Sequence, residues 1–304
     1  MSLKLRNLTH PREGLQGSEL TDGNVLLCYH RFVPSALKGD FSRLRRVEGR
    51  HNALVKELRL FFSRSEPNED GFCSIEGLRI LEEALRSGVR FKAVFFSESA
   101  LPKAKRLLPQ IASHIETLLL PDKLFAAVVP SSAPQGVAAL AKWKALTLEE
   151  LLRRGDIGPL LALVGVQDPG NVGTILRSAE AFGAAGVIVG EGTVSAVNPK
   201  VVRASAGSVF RAPVVRASFA QLIPKLRERG MRLVATSSHK GSALPTANLD
   251  PPVAVLIGGE GAGVPRDLVT KMDEIVVIPH SERVESLNAG VAASIVLYEI
   301  ARRK

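Results

Sequence analysis

The hydrophobic pattern changes period repeatedly along this chain, and each change marks an expected element. In residues 52–62, NALVKELRLFF, the apolar Leu54, Leu58, Phe61 and Phe62 share one helical face while Lys56, Glu57 and Arg59 fall largely off it, which predicts a helix. A polar break over 65–71 precedes FCSIEG, read as a short strand; LRILEEALRSG follows as a helix closed by Gly88, and FKAVFFSES as another strand. The alternation continues through PKAKRLLPQI and DKLFAAVV to about Trp143, with PSSAPQG as a turn. Thr147 and Glu150 stand at capping-box spacing, so a new helix is expected there.

Beyond it the alternation becomes regular. PLLALVGV, AGVIVG, APVVRA, RLVATSS, VAVLIGG and EIVVIP read as strands; NVGTILRSAEAFG, FAQLIPKLRERG and LNAGVAASIVLYEIAR read as helices. Short apolar strands flanked by amphipathic helices predict an α/β fold with a mainly parallel sheet covered on both faces, beside a smaller α/β domain. Ligands of such sheets bind beyond the carboxyl ends of the strands. The expected division is a poorly ordered extension over 1–46, a small domain over 47–146 and a second domain over 147–304. On the helix from Asn171, the apolar Val172, Ile175, Leu176, Ala179 and Phe182 separate from Asn171, Thr174, Arg177 and Ser178. Asn171, ending the Asp168-Pro-Gly-Asn turn, is the expected cap, and Gly183 the stop. The segment NPKVVRASAGSVFRAPV, with Asn198, Lys200, Arg203, Ser205 and Gly207, reads equally as a plain loop or as a ligand-facing one.

At 304 residues the chain is long enough for about two cores. Its net charge of +10 favours a polyanionic partner, although a merely basic enzyme fits as well and no dense basic stripe is visible. Aromatic residues make up 5% of the chain, too few for an extended base-stacking platform. Cys28 and Cys73 lie far apart without metal-ligand spacing, which fits a reducing, cytoplasmic setting. No apolar stretch reaches the roughly 20 residues of a membrane span, and the N-terminus has no apolar signal core. His51 and His280 have no metal partners at suitable spacing, and no metal is expected.

Three blocks remain as candidate chemistry: DPGNVGTILRSAEAFGAAG from Asp168, LIGGEGAGVP from Leu256, and VIPHSERVESLNAGVAASIVLYE from Val277. In the first, Asn171 and Arg177 project near a strand end, where a guanidinium can hold a phosphate at two points. The second fails both familiar phosphate fingerprints: Val264 occupies the sixth place of a dinucleotide motif, and Val264 and Pro265 stand where a P-loop needs Lys and Ser or Thr. Glu260 inside that turn also disfavours an anion. In the third, Ser286 is the expected cap of a helix opening at Leu287 and Asn288, whose Ala and Gly residues permit close packing.

The three blocks, in this order and spacing, resemble the SpoU (TrmH) family of RNA ribose 2′-O-methyltransferases, within the knotted SPOUT class. Asn171 and Arg177 match the family's first motif, Glu260 with its glycines the second, and Ser286-Leu287-Asn288 the third. Residues 47–143 resemble the family's smaller substrate-binding domain, related to ribosomal protein L30e, through VKEL at 55–58, Arg64, IEG at 75–77 and PQG at 134–136. The resemblance implies S-adenosylmethionine bound in a deep trefoil knot, with backbone groups around Ile257, Gly258, Gly259, Ile278, Leu287 and Ala289 holding it. Its sulfonium cation and lack of phosphate accord with the failed fingerprints and with Glu260. Arg177, Asn171, Glu260, Ser286 and Asn288 are implied as catalytic or pocket-shaping residues, and Lys56, Arg64, Arg203 and Ser205 as RNA contacts. A homodimer with sites across its interface is also implied, acting on RNA and not DNA, with 23S rRNA favoured over tRNA. A non-catalytic RNA-binding protein on the same fold and a nucleotide-dependent α/β enzyme are the competing readings.

Overall fold

A computed structural model describes residues 41–64, 66–131, 134–154 and 158–303. Cys28 and most of the expected extension lie outside these residues. The extension's last residues do not: Leu44–Arg46 is strand β1, paired in parallel with a later strand, so ordered chain starts earlier than the sequence pattern indicates. Three residues of mixed polarity carry too little periodicity to announce a strand; backbone pairing defines it.

The first sheet is built from β1, β2 (Phe72–Glu76), β3 (Phe91–Ser97), β4 (Glu116–Leu120) and β5 (Val137–Lys142) in the order β1-β4-β3-β5-β2. β5 runs antiparallel to both neighbours, and the other pairs are parallel. Helix α1 (Ala53–Ser63) begins at Asn52, whose side chain accepts from the N–H groups of Leu54 and Val55. It buries Val55, Leu58, Phe61 and Phe62 on one face of the sheet, with α4 (Asp122–Val128) beside it. The other face carries α2 (Leu78–Arg86) and α3 (Leu101–Leu107).

Thr147 then makes the expected capping box with Glu150 and opens α5 (Leu148–Leu152). The second sheet follows. Its strands are β6 (Leu160–Val164), β7 (Gly186–Val189), β8 (Val214–Arg216), β9 (Arg232–Ser237), β10 (Ser242–Ala243), β11 (Val253–Gly258) and β12 (Glu274–Val277), ordered β10-β12-β9-β11-β6-β7-β8 with every pair parallel. All five residues of β6 are buried, as a central parallel strand covered on both faces requires. Leu161 and Leu163 face α6 (Pro169–Ala181), α7 (Pro199–Ala204) and α10 (Ala289–Arg302); Leu160 and Ala162 face α5 and α8 (Phe219–Glu228). The short α9 (Arg266–Val269) precedes β12.

The loop reading of NPKVVRASAGSVFRAPV is only half right, since α7 forms within it. Asn198 caps α7 by accepting from the Lys200 N–H at 2.9 Å, with Pro199 at the first helical position. α7 lies against α6 so tightly that a Cβ on Gly173 would overlap the Ala204 methyl.

Candidate active site

Strand order reverses at β6, with β7 and β8 to one side and β11, β9, β12 and β10 to the other. A parallel sheet opens a crevice at such a point, beyond the carboxyl end of the strand. Three loops converge there. Gly259 N–H donates to Val164 O at 2.8 Å, and a Cβ on Gly259 would overlap the Gly165 carbonyl, so the turn after β11 crosses directly over the turn after β6. Gly258 is confined in the same way by the backbone of Gly263 and Val264. At these two glycines the missing side chain therefore makes room for neighbouring backbone. Gly261 (φ +81°) and Gly263 (φ +61°) differ: both take the left-handed backbone that favours glycine and face open space.

The cap of α6 is Asp168 and not the expected Asn171. Pro169 has no N–H and fits only the first turn, which fixes where the helix starts, and Asp168 Oδ2 accepts from Asn171 N–H at 2.8 Å. Asn171 is thereby one turn inside the helix and nearly buried, at 6% exposed. Its Nδ2 donates to Glu260 Oε1 at 2.6 Å. Asn288 Nδ2 donates to the same oxygen at 2.8 Å. Two amides from the first and third blocks thus converge on one carboxylate oxygen of the second, holding an acidic side chain at the crevice. Among the described residues, the other Glu260 oxygen has no hydrogen-bond partner.

The third block also caps differently from expectation. Asn288 opens α10, its Oδ1 accepting from the N–H groups of Gly290 and Val291 at 2.9 and 3.2 Å. Ser286 is exposed, two residues upstream, and makes no hydrogen bond among the described residues. The preceding loop is poor in internal bonds: Val284 N–H reaches Ser281 O, while the N–H groups of Glu285, Ser286 and Leu287 have no partner among the described residues. Ile278 O is held by His280 Nδ1 at 2.7 Å, which makes His280 a turn residue. The Ile257 side chain is buried in β11 and that of Ala289 at the start of α10, so only their main-chain groups can meet a ligand.

Arg177 is exposed and makes no hydrogen bond or ion pair among the described residues. Six residues beyond Asn171, it stands about 9 Å further along α6 and two-thirds of a turn round, so the fold does not gather it with Asn171, Glu260 and Asn288. Next to it lies the α6–α10 seam, where Ser178 donates to Ser294 Oγ at 2.6 Å and Ser294 donates to Gly290 O at 2.6 Å.

A family model described as the SpoU rRNA Methylase family matches residues 158–298, and one described as an MRM3-like substrate binding domain matches residues 52–139. RlmP of Bacillus subtilis strain 168, named as a 23S rRNA (guanosine(2553)-2′-O)-methyltransferase, is 31% identical over 257 residues, 84% of this chain and 99% of its own. The chain belongs to the SpoU rRNA methylase family. Among solved structures, an AdoMet-bound rRNA methyltransferase of Sinorhizobium meliloti aligns with a TM-score of 0.74 at 29% identity, over 86% of this chain and 98% of that one. The SpoU methyltransferase AviRb of Streptomyces viridochromogenes, in complex with AdoMet, gives 0.72 at 28% identity, over 83% and 98%.

Within this SpoU fold the four expected RNA contacts separate. Lys56 and Arg64 are exposed on and just after α1, without side-chain partners among the described residues. Ser205 is fully buried, its hydroxyl donating to Val202 O at 2.8 Å, and so cannot meet RNA. Arg203 is already paired with Glu76, a carboxylate whose side chain is only 4% exposed, and reaches Ser131 Oγ at 3.3 Å. Glu76 belongs to β2 of the first sheet, so this pair joins the two sheets' domains. Glu76 escaped the sequence reading, although its place at the end of an apolar strand was a signal: a carboxylate buried there needs a partner. The neighbouring motifs IEG and PQG explain each other, because Gln135 Oε1 accepts from Leu78 N–H at 3.1 Å while Gln135 N–H donates to Glu76 Oε1 at 3.3 Å. Burial pushes the Cys73 thiol up to about 12, which removes it as a nucleophile.

Proposed function

We propose that this chain transfers a methyl group from S-adenosylmethionine to a ribose 2′-hydroxyl of 23S rRNA, as a homodimer in the cytoplasm. The observation that carries the reading is the convergence of Asn171 and Asn288 on Glu260 at the carboxyl end of β6. The residues present fit the donor. Main-chain N–H groups at 285–287, unpartnered among the described residues, offer hydrogen bonds to a polar ligand, and Glu260 favours a sulfonium cation where it would repel a phosphate. Main-chain groups of Ile257, Gly258, Gly259, Ile278, Leu287 and Ala289 form the proposed wall. Bound there, the cofactor supplies an electrophilic methyl carbon. Insertion of β11 between β6 and β9, with its turn pressed onto Gly165, supports the knotted path.

Arg177 is assigned to the RNA. A guanidinium keeps its proton throughout the physiological range and is a poor base, so its role is to orient the attacking hydroxyl or a neighbouring phosphate and to stabilise developing negative charge. Its distance from Glu260 is explained if it serves the partner's pocket. The exposed Val291 (46%) and Tyr298 (56%), seven residues apart on one face of α10, supply apolar surface for such an interface, and Tyr298 stacks edge-on against Phe182, just past the end of α6, at 5.9 Å. The division at 147 and the assignment of 47–146 to RNA binding follow the same reading. Among the described residues, no helix is long and apolar enough to cross a membrane.

The test mixes two inactive variants, Arg177→Ala and Glu260→Ala, after reversible dissociation, and assays methyl transfer to 23S rRNA. A site shared between subunits regenerates one intact site per mixed dimer and restores a substantial part of the activity. Absence of any recovery would show that each site is complete within one chain. Mapping 2′-O-methyl groups in rRNA and tRNA, with and without the gene, identifies the nucleotide; a mark lost only from tRNA would overturn the rRNA assignment.

A further inference from the structure

A second cleft, of about 560 Å³, lies where the two sheets' domains meet, at the amino-terminal end of the parallel sheet. Its walls come from the α2–β3 connection, the β5–α5 connection and the segment leading into β8. Arg90, Lys142, Lys144, Arg154 and Arg211 line it, and among the described residues no acidic one does. Trp143, the sole tryptophan of the chain, and Phe210 add aromatic walls.

The cations are not equally available. Arg211 is spoken for by Glu83 and Glu180, and Lys142 lies over the Phe72 ring at 5.5 Å from its centroid. Arg90 and Arg154 are exposed and have no ion pair or side-chain hydrogen bond among the described residues. Lys144 is also exposed, near Glu150, whose carboxylate is turned back onto Thr147. Three cations thus face one concave, partly aromatic surface without a bonded carboxylate. Cationic groups beside aromatic walls suit a nucleic-acid segment: phosphates meet the guanidinium and ammonium groups, and bases meet the rings.

The cleft is separate from the methyl-transfer site. Val214 is in register with Val187, and Val187 with Leu161, three residues short of Val164. It therefore sits about 10 Å below the carboxyl end of β6 and about 10 Å to the side, two strands away. We infer that this cleft binds a single-stranded segment of the substrate RNA, several nucleotides distant from the reacting ribose, through Arg90, Lys144 and Arg154 with Trp143 as a stacking wall. The inference rests on RNA being the substrate. It assigns the cleft to substrate affinity and not to chemistry.

The single tryptophan makes the test local. Titrating the full-length protein with a methyl-accepting rRNA fragment should quench tryptophan fluorescence with the same midpoint as RNA binding measured by anisotropy. Arg90→Ala/Lys144→Ala should raise KM for RNA about tenfold with kcat at saturation unchanged, and should flatten the slope of log affinity against log salt by about 1.4, from two lost single-strand phosphate contacts. Arg229→Ala/Lys271→Ala removes two exposed charges elsewhere, just beyond the ends of α8 and α9, and should change KM less than twofold. Equal effects of the two double variants, or no quenching by bound RNA, would overturn the assignment. Quenching by tripolyphosphate at the affinity of the RNA would overturn RNA as the occupant. Should the fragment bind but accept no methyl group, the choice of substrate fails while the quenching test of the cleft still stands.

Discussion

Asn288 uses both ends of one amide. Its oxygen caps α10, and its nitrogen fixes Glu260. The two roles separate by substitution, because Ser caps a helix about as well as Asn but is too short to supply the second bond. Asn288→Ser should therefore keep stability within about 0.5 kcal/mol of the native chain, whereas Asn288→Ala should lose about 1 kcal/mol with the cap. Both should slow methyl transfer by about 10- to 100-fold, the equivalent of one hydrogen bond to a charged group. Denaturant melts and single-turnover rates on the same preparations check this. Full activity in Asn288→Ser would mean that the Glu260 bond is incidental.

At the scale of elements, the carboxyl end of α10 is tied down by Glu299. This carboxylate, 7% exposed, accepts from Arg302 and Arg303, and Arg303 in turn donates to the carbonyls of Leu244, Pro245 and Ala247. The Arg302 hydrogen bond, foremost, and the Arg303 bond hold the Glu299 pKa below its ordinary 4.5. A carboxylate with a depressed folded pKa contributes stability that is present above the unfolded pKa and disappears as pH falls through the folded one. Glu299→Gln should thus lower stability by about 1–2 kcal/mol at pH 7, and the deficit should close as pH falls below the ordinary 4.5 and through the lowered folded value. Thermal melts across pH 3–7 provide the measurement; a deficit independent of pH would point to packing instead. The elements themselves were legible to different depths. The α5 capping box and the buried stripes of α1 and α6 follow from spacing alone, since local hydrogen bonds and periodicity carry them. The caps of α6 and α10 were misplaced because Asp168 and Asn171, or Ser286 and Asn288, are equally good cappers in composition; Pro169 settles the first choice, and only the contact with Glu260 distinguishes the second. The three motif residues were legible as candidates, but their meeting on one oxygen depends on the crossing of the turns at Gly165 and Gly259, which no local pattern encodes.

Across the whole molecule, three ionic junctions among the described residues bind the first sheet's domain to the methyltransferase sheet, one of them between Glu66 and Arg216 of β8. Arg203 of α7 meets the buried Glu76 of β2, and Arg211 bridges Glu83 of α2 and Glu180 of α6. Between them, a Cβ on Gly207 would lie 2.5 Å from Glu83 Cβ, so the surfaces are in close contact. α7 in turn packs on Gly173 of α6, the helix that carries Asn171 and Arg177. This continuous path makes the Glu76–Arg203 pair a positioning device more than an RNA contact. Removing Arg203 alone leaves a carboxylate stranded at 4% exposure, and such an uncompensated charge costs about 3 kcal/mol. Arg203→Met should therefore destabilise strongly, while Glu76→Gln/Arg203→Met should recover about 1–3 kcal/mol of that loss, the range of coupling between directly bonded groups. A denaturant double-mutant cycle measures the coupling. If Arg203 served chiefly to bind RNA, the cycle would close near zero and KM for RNA would rise in Arg203→Met without recovery in the double variant; if it positions the domains, stability and KM recover together.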